Sequence, residues 1–315
     1  MTSESTTAAE SPLVLRGVAK SFRRRVVLDG VDLAVPAGSV LGLLAKNAAG
    51  KTTLIKCALG LLRCGGGTAR VFGEDAWKLS APAKARLGYV PQVVSLYPWM
   101  RVAALVEYVG AFYPRWNAAL VSDLLRDWEV PPDQKAGVLS VGTLQKLSII
   151  LALGHEPDLL VLDEPAAALD PAARRDFLAA VLDAAADGRR TILFSTHITS
   201  DLERVADRVA ILKDGKIAYH GALDELKDSV KRLHVTAPSP LPADLEVPGR
   251  LRQRIEGNEA LLSVRGEPPA AAESIEREHR ASVRVEDLSL EDIFLEIHRE
   301  QAGGQESPDR EATHA

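Results

Sequence analysis

An apolar run at residues 40–44, rich in valine and leucine, leads within a few residues into Gly50-Lys51-Thr52-Thr53, and a helical pattern follows over residues 52–62. A strand that enters a helix through a tight loop of small residues points the free N–H groups of the helix start at one spot, which is how proteins hold phosphate. Residues 45–52 fit the template G-x-x-x-x-G-K-[ST], with Ala45 in place of the first glycine. The segment Ala45, Lys46, Asn47, Ala48, Ala49, Gly50, Lys51, Thr52 and Thr53 is therefore the predicted nucleotide loop. Lys51 would meet the β- and γ-phosphates, amides from Ala48 to Thr53 would cradle them, and the Thr52 hydroxyl offers the hard oxygen that Mg²⁺ prefers. Few architectures accommodate this feature. The chain must be α/β, with the loop at one edge of a sheet.

The rest of the pattern agrees. Runs at 13–18, 26–35 and 40–44 give a strand-rich start, short buried strands follow at 88–90, 159–162 and 191–194, and helices are predicted over 102–112, 118–128, 143–153 and 172–186. Strands alternating with helices argue for a parallel sheet flanked by helices. Residues 158–165, Asp-Leu-Leu-Val-Leu-Asp-Glu-Pro, form an apolar strand ending in two acids, so Asp163 and Glu164 fall at the carboxyl edge, where open α/β sheets bind ligands. Asp163 would hold Mg²⁺ through water, and Glu164 would polarise the water that attacks the terminal phosphate.

Taken together these segments resemble the nucleotide-binding domain of ABC transporters over about residues 12–230. Leu139-Ser-Val-Gly-Thr143 and the following Leu-Gln-Lys-Leu147 resemble the family's signature L-S-G-G-Q, with Val141 for the first glycine and Thr143 for glutamine. The resemblance implies that Ser140 and Gly142 reach the γ-phosphate held by a partner subunit. It also implies that Gln92 senses Mg²⁺ and couples to a permease, that Asp170 lies at a dimer contact, that His197 is the switch histidine, and that Phe22 stacks on adenine. The expected cofactors are ATP and Mg²⁺, with Thr52, Gln92 and Asp163 at the metal and Glu164 and His197 as the catalytic pair. Trp99, Trp116 and Trp128 are read as core or coupling-surface aromatics.

The fold class this implies is a P-loop NTPase core of the ABC ATPase type, with a strand-rich N-terminal part, a helical subdomain and a small αβ C-terminal appendage. The predicted organisation is a disordered start (1–11), the ATP-binding domain (12–231), the small C-terminal domain (232–299) and a disordered tail (300–315). Asp214-Gly215 signals a hairpin within 209–218, and a helix at 223–230 is expected to close the large domain. In the appendage, strand-like pieces occur around 255–264 and at 282–285, with a helix at 290–298.

No apolar stretch approaches the roughly 20 residues that span a bilayer, and residues 1–11 lack the pattern of a secretory signal. The two cysteines, Cys57 and Cys64, match neither a zinc nor a redox spacing. A net charge of -5 gives no basic footprint for nucleic acid. The expected protein is a cytoplasmic ATPase, held on the cytoplasmic face of the cell membrane by a transmembrane permease that it drives in export, and pairing as an ATP-dependent homodimer or as a heterodimer with a second ATPase subunit. Two alternatives remain open on sequence alone: an ATP-binding regulatory partner with weak or no hydrolysis, owing to the glycines missing from the phosphate loop and the signature, and a soluble non-transport ABC ATPase. The first is suggested by alanines at 45 and 48, each carrying a penalty of roughly 1–2 kcal/mol where the loop demands a left-handed residue.

Overall fold

The computed structural model describes residues 11–186 and 188–299. They divide into two units, with the boundary between Gly221 and Ala222. In the first, β1 (Leu13–Phe22) buries Leu13, Leu15 and Val18 and turns at Arg23 into β2 (Arg25–Val35). β3 (Val40–Ala45) has no exposed face at all. Helix α1 (Lys51–Ala58) follows the phosphate loop, then β4 (Gly66–Val71) and β5 (Glu74–Asp75). These strands form an antiparallel sheet in the order β2-β1-β4-β5.

Helix α1 stops at Ala58, four residues short of the predicted end. The chain turns left-handed at Gly60, where a Cβ would lie 1.9 Å from the Ala76 carbonyl oxygen, so no other residue fits. The free Cys57 and Cys64 lie on this side, and burial, with Cys64 alongside, pushes the Cys57 thiol up to about 12. β4 escaped the sequence reading because it begins Gly66-Gly67-Thr68, with no alternating apolar residues to mark it.

After α2 (Ala81–Ala85) and β6 (Leu87–Val90), a helical segment intervenes: α3 (Val102–Gly110), α4 (Ala118–Asp127) and α5 (Val141–Leu153). Trp128 is buried there, and Trp116 packs so closely on Gly110 and Gly154 that a Cβ on either would come within 3 Å of its ring. Trp99 instead is 67% exposed. β7 (Leu159–Asp163), α6 (Pro171–Ala185), β8 (Thr191–Thr196), α7 (Thr199–Val205), β9 (Arg208–Lys213) and β10 (Lys216–Ala222) complete the unit. The second sheet runs β10-β9-β3-β8-β7-β6, parallel from β9 to β6. Between β9 and β10, Asp214 and Gly215 both take positive φ, 49° and 77°, as the predicted two-residue hairpin turn requires.

The second unit consists of α8 (Leu223–Ser229), β11 (Val230–Thr236), β12 (Arg250–Glu256), β13 (Glu259–Arg265), α9 (Pro268–His279), β14 (Ser282–Asp287) and α10 (Leu290–Arg299). Its sheet is antiparallel, in the order β12-β13-β11-β14. Ala271, Ala272 and Ile275 of α9 pack with Leu233, Val235, Leu262 and Val264 to make its core. The break after Gly221 falls ten residues before the predicted boundary at 231, because α8 packs against β11 and belongs with it. Helix α9 was not predicted: its buried face is made of Pro268, Ala271, Ala272 and Ile275, too few large apolar residues to mark a helical period, and it opens on two prolines, which suit the first turn of a helix because the missing N–H costs nothing there. The expected disordered segments lie outside the described residues except for Ser11, which is buried.

Candidate nucleotide site

The parallel register decides what meets at the carboxyl edge. Leu44 of β3 lies beside Thr196 of β8, and Asp163 of β7 beside Ser195 of β8. The next residue or two along each strand therefore converge: the loop after Ala45, Glu164 after Asp163, His197 after Thr196, and Gln92 two residues beyond the end of β6.

A cavity of about 430 Å³ opens there, lined by Phe22, Lys46 to Ala48, Gly50 to Thr53, Gln92 and Glu164, and also by Arg25 and Val27. The last two were not predicted. Arg25 is the cross-strand neighbour of Phe22 in the β1–β2 pair, which is the signal that would have found it. Phe22 is 47% exposed, with the Lys20 ammonium 5.4 Å from its ring centroid, and so presents aromatic surface at the cavity's outer end.

In the loop the two alanines differ. Ala45 is the buried last residue of β3 and is absent from the positive-φ positions, whereas Ala48 has φ of 60°. Gly50, at φ of 105°, precedes the first turn of α1 as the N-cap and accepts the Leu54 amide at 2.8 Å. The Lys51 ammonium is buried; it donates to the Ala45 carbonyl at 2.8 Å and pairs with Glu164 Oε1 at 3.0 Å. The other Glu164 oxygen, Oε2, is 2.7 Å from His197 Nδ1. Glu164 itself is buried and left-handed, at φ of 51°.

Asp163 is fully buried, and burial pushes its carboxyl above the ordinary carboxylate value, against the opposing hydrogen bond of Ser195. Its Oδ2 has no hydrogen-bond partner. The Thr52 hydroxyl lies 3.4 Å from Gln92 Oε1. Hydroxyl, amide oxygen and a carboxylate oxygen without a partner are hard donors, and a buried charged oxygen left unsatisfied is costly unless something binds it. These residues fit a Mg²⁺ ion.

Ser140 and Gly142 are not part of this cluster. Ser140 is exposed and caps α5, its Oγ accepting the Thr143 amide at 3.1 Å and lying 2.8 Å from the Thr143 hydroxyl. Val141 is the first residue of α5, 71% exposed and not left-handed, so it is not strained by replacing a glycine. Asp170 caps α6 by accepting the amides of Ala172 and Ala173, and those bonds hold its carboxyl below the usual range.

The ABC transporter family profile matches residues 28–167. The chain is 31% identical over 295 residues to the Nod factor export ATP-binding protein I of Burkholderia lata, a match covering 91% of this chain and 97% of that protein. It is 29% identical over 221 residues to the ABC transporter ATP-binding protein YtrB of Bacillus subtilis, covering 70% of this chain and 75% of that one. Among solved structures, an ATP-binding subunit of an ABC transporter superposes with a TM-score of 0.64 at 27% identity, over 69% of this chain and 92% of the other.

Proposed function

The chain belongs to the ABC transporter family of ATP-binding proteins and is an ATP-hydrolysing transport subunit; from that premise we propose that two such subunits sandwich ATP and drive a separate membrane permease in export. The observation that carries the reading is one cavity lined by the phosphate loop, Lys51, Thr52, Gln92 and Glu164, with His197 bonded to Glu164 behind it and Asp163 preceding Glu164 at the end of β7. Export is supported by the similarity to the Nod factor export protein along nearly its whole length.

The chemistry proposed follows from who holds whom. ATP enters with adenine on Phe22 and its phosphates over the amides of residues 48–53. Phosphate oxygens then compete with Glu164 for the Lys51 ammonium, since both are anions within reach of one buried cation. Once Lys51 turns to phosphate, Glu164 is freed to take a proton from water, and His197, bonded to its other oxygen, fixes the direction in which the carboxylate points. Thr52, Gln92 and Asp163 would hold Mg²⁺, which when bound neutralises charge developing on the β- and γ-phosphate oxygens. Ser140 and Gly142 would act on the γ-phosphate of the partner subunit.

A permease as partner is supported by an exposed aromatic ladder on the helical segment next to Gln92. Tyr97 lies 5.3 Å from Trp99 and 5.8 Å from Tyr108, and Tyr108 lies 5.2 Å from Phe112, ring centre to ring centre. All four rings are exposed, and aromatic rings of this kind anchor protein interfaces. No helix among the described residues is long and apolar enough to cross a membrane, so this reading puts the subunit on the cytoplasmic face, held there by the permease.

Light scattering of the Glu164→Gln variant tests the sandwich. With saturating Mg²⁺-ATP it is expected to run as a dimer, because binding survives and water attack is blocked. A protein that stays monomeric under those conditions would overturn the proposal.

A further inference from the structure

Between the two acids lies a residue that belongs to none of the motifs above. Ser195, in the middle strand pair of the parallel sheet, is completely buried. Its hydroxyl donates to Asp163 Oδ1 at 2.9 Å and accepts the amide of Glu164 at 3.1 Å, while its carbonyl oxygen accepts that same amide at 3.0 Å. We propose that Ser195 is a positioning residue that locks Asp163 and Glu164 together, so that Asp163 is left with one free oxygen aimed at the divalent cation. The inference rests on the nucleotide-site reading given above and adds to it a residue for holding the cation.

The accounting of donors supports this. A hydroxyl has one proton, and this one is committed to Asp163, so its lone pairs are what remain for the Glu164 amide. The two hydrogen bonds thus run in one direction, from the backbone of Glu164 through Ser195 to the side chain of Asp163. The same pair of acceptors, hydroxyl and carbonyl of one residue, holds the Glu164 amide where the backbone is left-handed at φ of 51°. With Oδ1 occupied, Oδ2 is the Asp163 oxygen without a partner, and it is buried. A serine placed only to fill space would not need to satisfy one carboxylate oxygen and leave the other bare. Groups that orient a metal's ligand in this way typically change metal affinity about 10- to 100-fold when removed.

The test compares wild type with Ser195→Ala in the full-length chain. A fluorescent ATP analogue is titrated with Mg²⁺ and again with chelator, and Mn²⁺ binding to the protein–ATP complex is followed by electron paramagnetic resonance. The expected result is unchanged metal-free nucleotide affinity with Mn²⁺ affinity weakened by about 10- to 100-fold. Wild-type Mn²⁺ affinity in the variant overturns the proposal, and so does an equal loss of nucleotide binding with and without metal, which would mark a merely structural role. Should the alanine variant fail to fold on thermal melting, Ser195→Cys, similar in size but a weak donor, carries the same expectation and the same two refuting outcomes. Failure of the wild type to bind nucleotide at all would instead remove the site reading on which the inference stands.

Discussion

The phosphate loop and the signature loop, which the proposed mechanism brings to one reaction, are built differently. Lys51, Asp163 and Glu164 are buried and bonded to residues of their own chain from β3, β7 and β8. The signature residues sit at the start of α5 with Ser140 exposed, flanked by Val138 and Val141, which are 72% and 71% exposed. The first region draws its partners from within the chain, as buried charges require, with Asp163 Oδ2 alone of these carboxylate oxygens left without one. The second keeps apolar side chains in water, an arrangement that makes sense where another surface covers them. Changes in the first should therefore be felt in the lone subunit, and changes in the second only in the assembled one.

The largest expected effect lies in the buried region. Glu164→Gln should lower turnover by about 10²- to 10⁴-fold, the range typical for loss of a general base. It should also leave the Lys51 ammonium without its carboxylate, lowering the stability of the protein without ATP by roughly 1–3 kcal/mol and making that loss recoverable on adding ATP. Thermal melts with and without nucleotide check this. Equal melting of variant and wild type without ATP would show that the 3.0 Å ion pair carries no net stability.

In the signature loop, Ser140→Ala should reduce steady-state turnover by about 10- to 100-fold, the equivalent of one hydrogen bond to a charged group, with ATP affinity of the isolated subunit unchanged. Removing this N-cap also weakens α5 by about 1 kcal/mol, so melting must be measured alongside. A parallel fall in single-subunit ATP affinity would contradict the division between the two regions. The aromatic ladder extends the same logic to a different partner. Trp99→Ala should leave ATP turnover of the separated subunit as it was and weaken co-purification with the permease by about 30-fold, as expected of an interface aromatic worth about 2 kcal/mol. Loss of turnover in the separated subunit would place Trp99 in the fold instead.

How far each region could be read from sequence follows from how local its determinants are. The strand, loop and helix around Lys51 are contiguous, and Asp163 and Glu164 end an unbroken apolar strand, so pattern alone found them. Ser195 gave no signal, because one hydroxyl in a buried strand becomes meaningful only when the register puts it beside Asp163. Arg25 reaches the cavity as the cross-strand neighbour of Phe22 and could have been found from that residue, whereas Val27 further along β2 gave no signal. In the second unit, α9 buries mainly small residues, Ala271 and Ala272 beside Ile275, and so shows little periodicity, and the tie of α8 to β11 is a packing fact that no periodicity announces. The missing glycines were visible but their cost was not, since that depends on φ.

The smallest expected effect separates those two alanines. Ala48 is left-handed, which costs an L-residue roughly 1–2 kcal/mol. The turn is closed by bonds of the loop itself, the Ala49 amide to the Lys46 carbonyl at 3.2 Å and the Leu54 amide to Gly50 at 2.8 Å. The strain is therefore charged to folding of the loop more than to the act of binding ATP. Glycine at 48 would relieve it, offset by about 0.4–1 kcal/mol of extra freedom in the unfolded chain. A net stabilisation of about 0.5–1 kcal/mol is expected from Ala48→Gly, with ATP affinity within about twofold of wild type. Ala45→Gly should act in the opposite sense. Ala45 is buried at the end of a strand with ordinary backbone angles, so glycine there adds only flexibility and costs about 0.5–1 kcal/mol. Chemical denaturation of the two single variants, with ATP titration of each, reads both signs. Stabilisation by both would mean that the strand end at Ala45 shares the strain of the loop, and a rise in ATP affinity well beyond twofold at position 48 would shift the penalty from folding to binding.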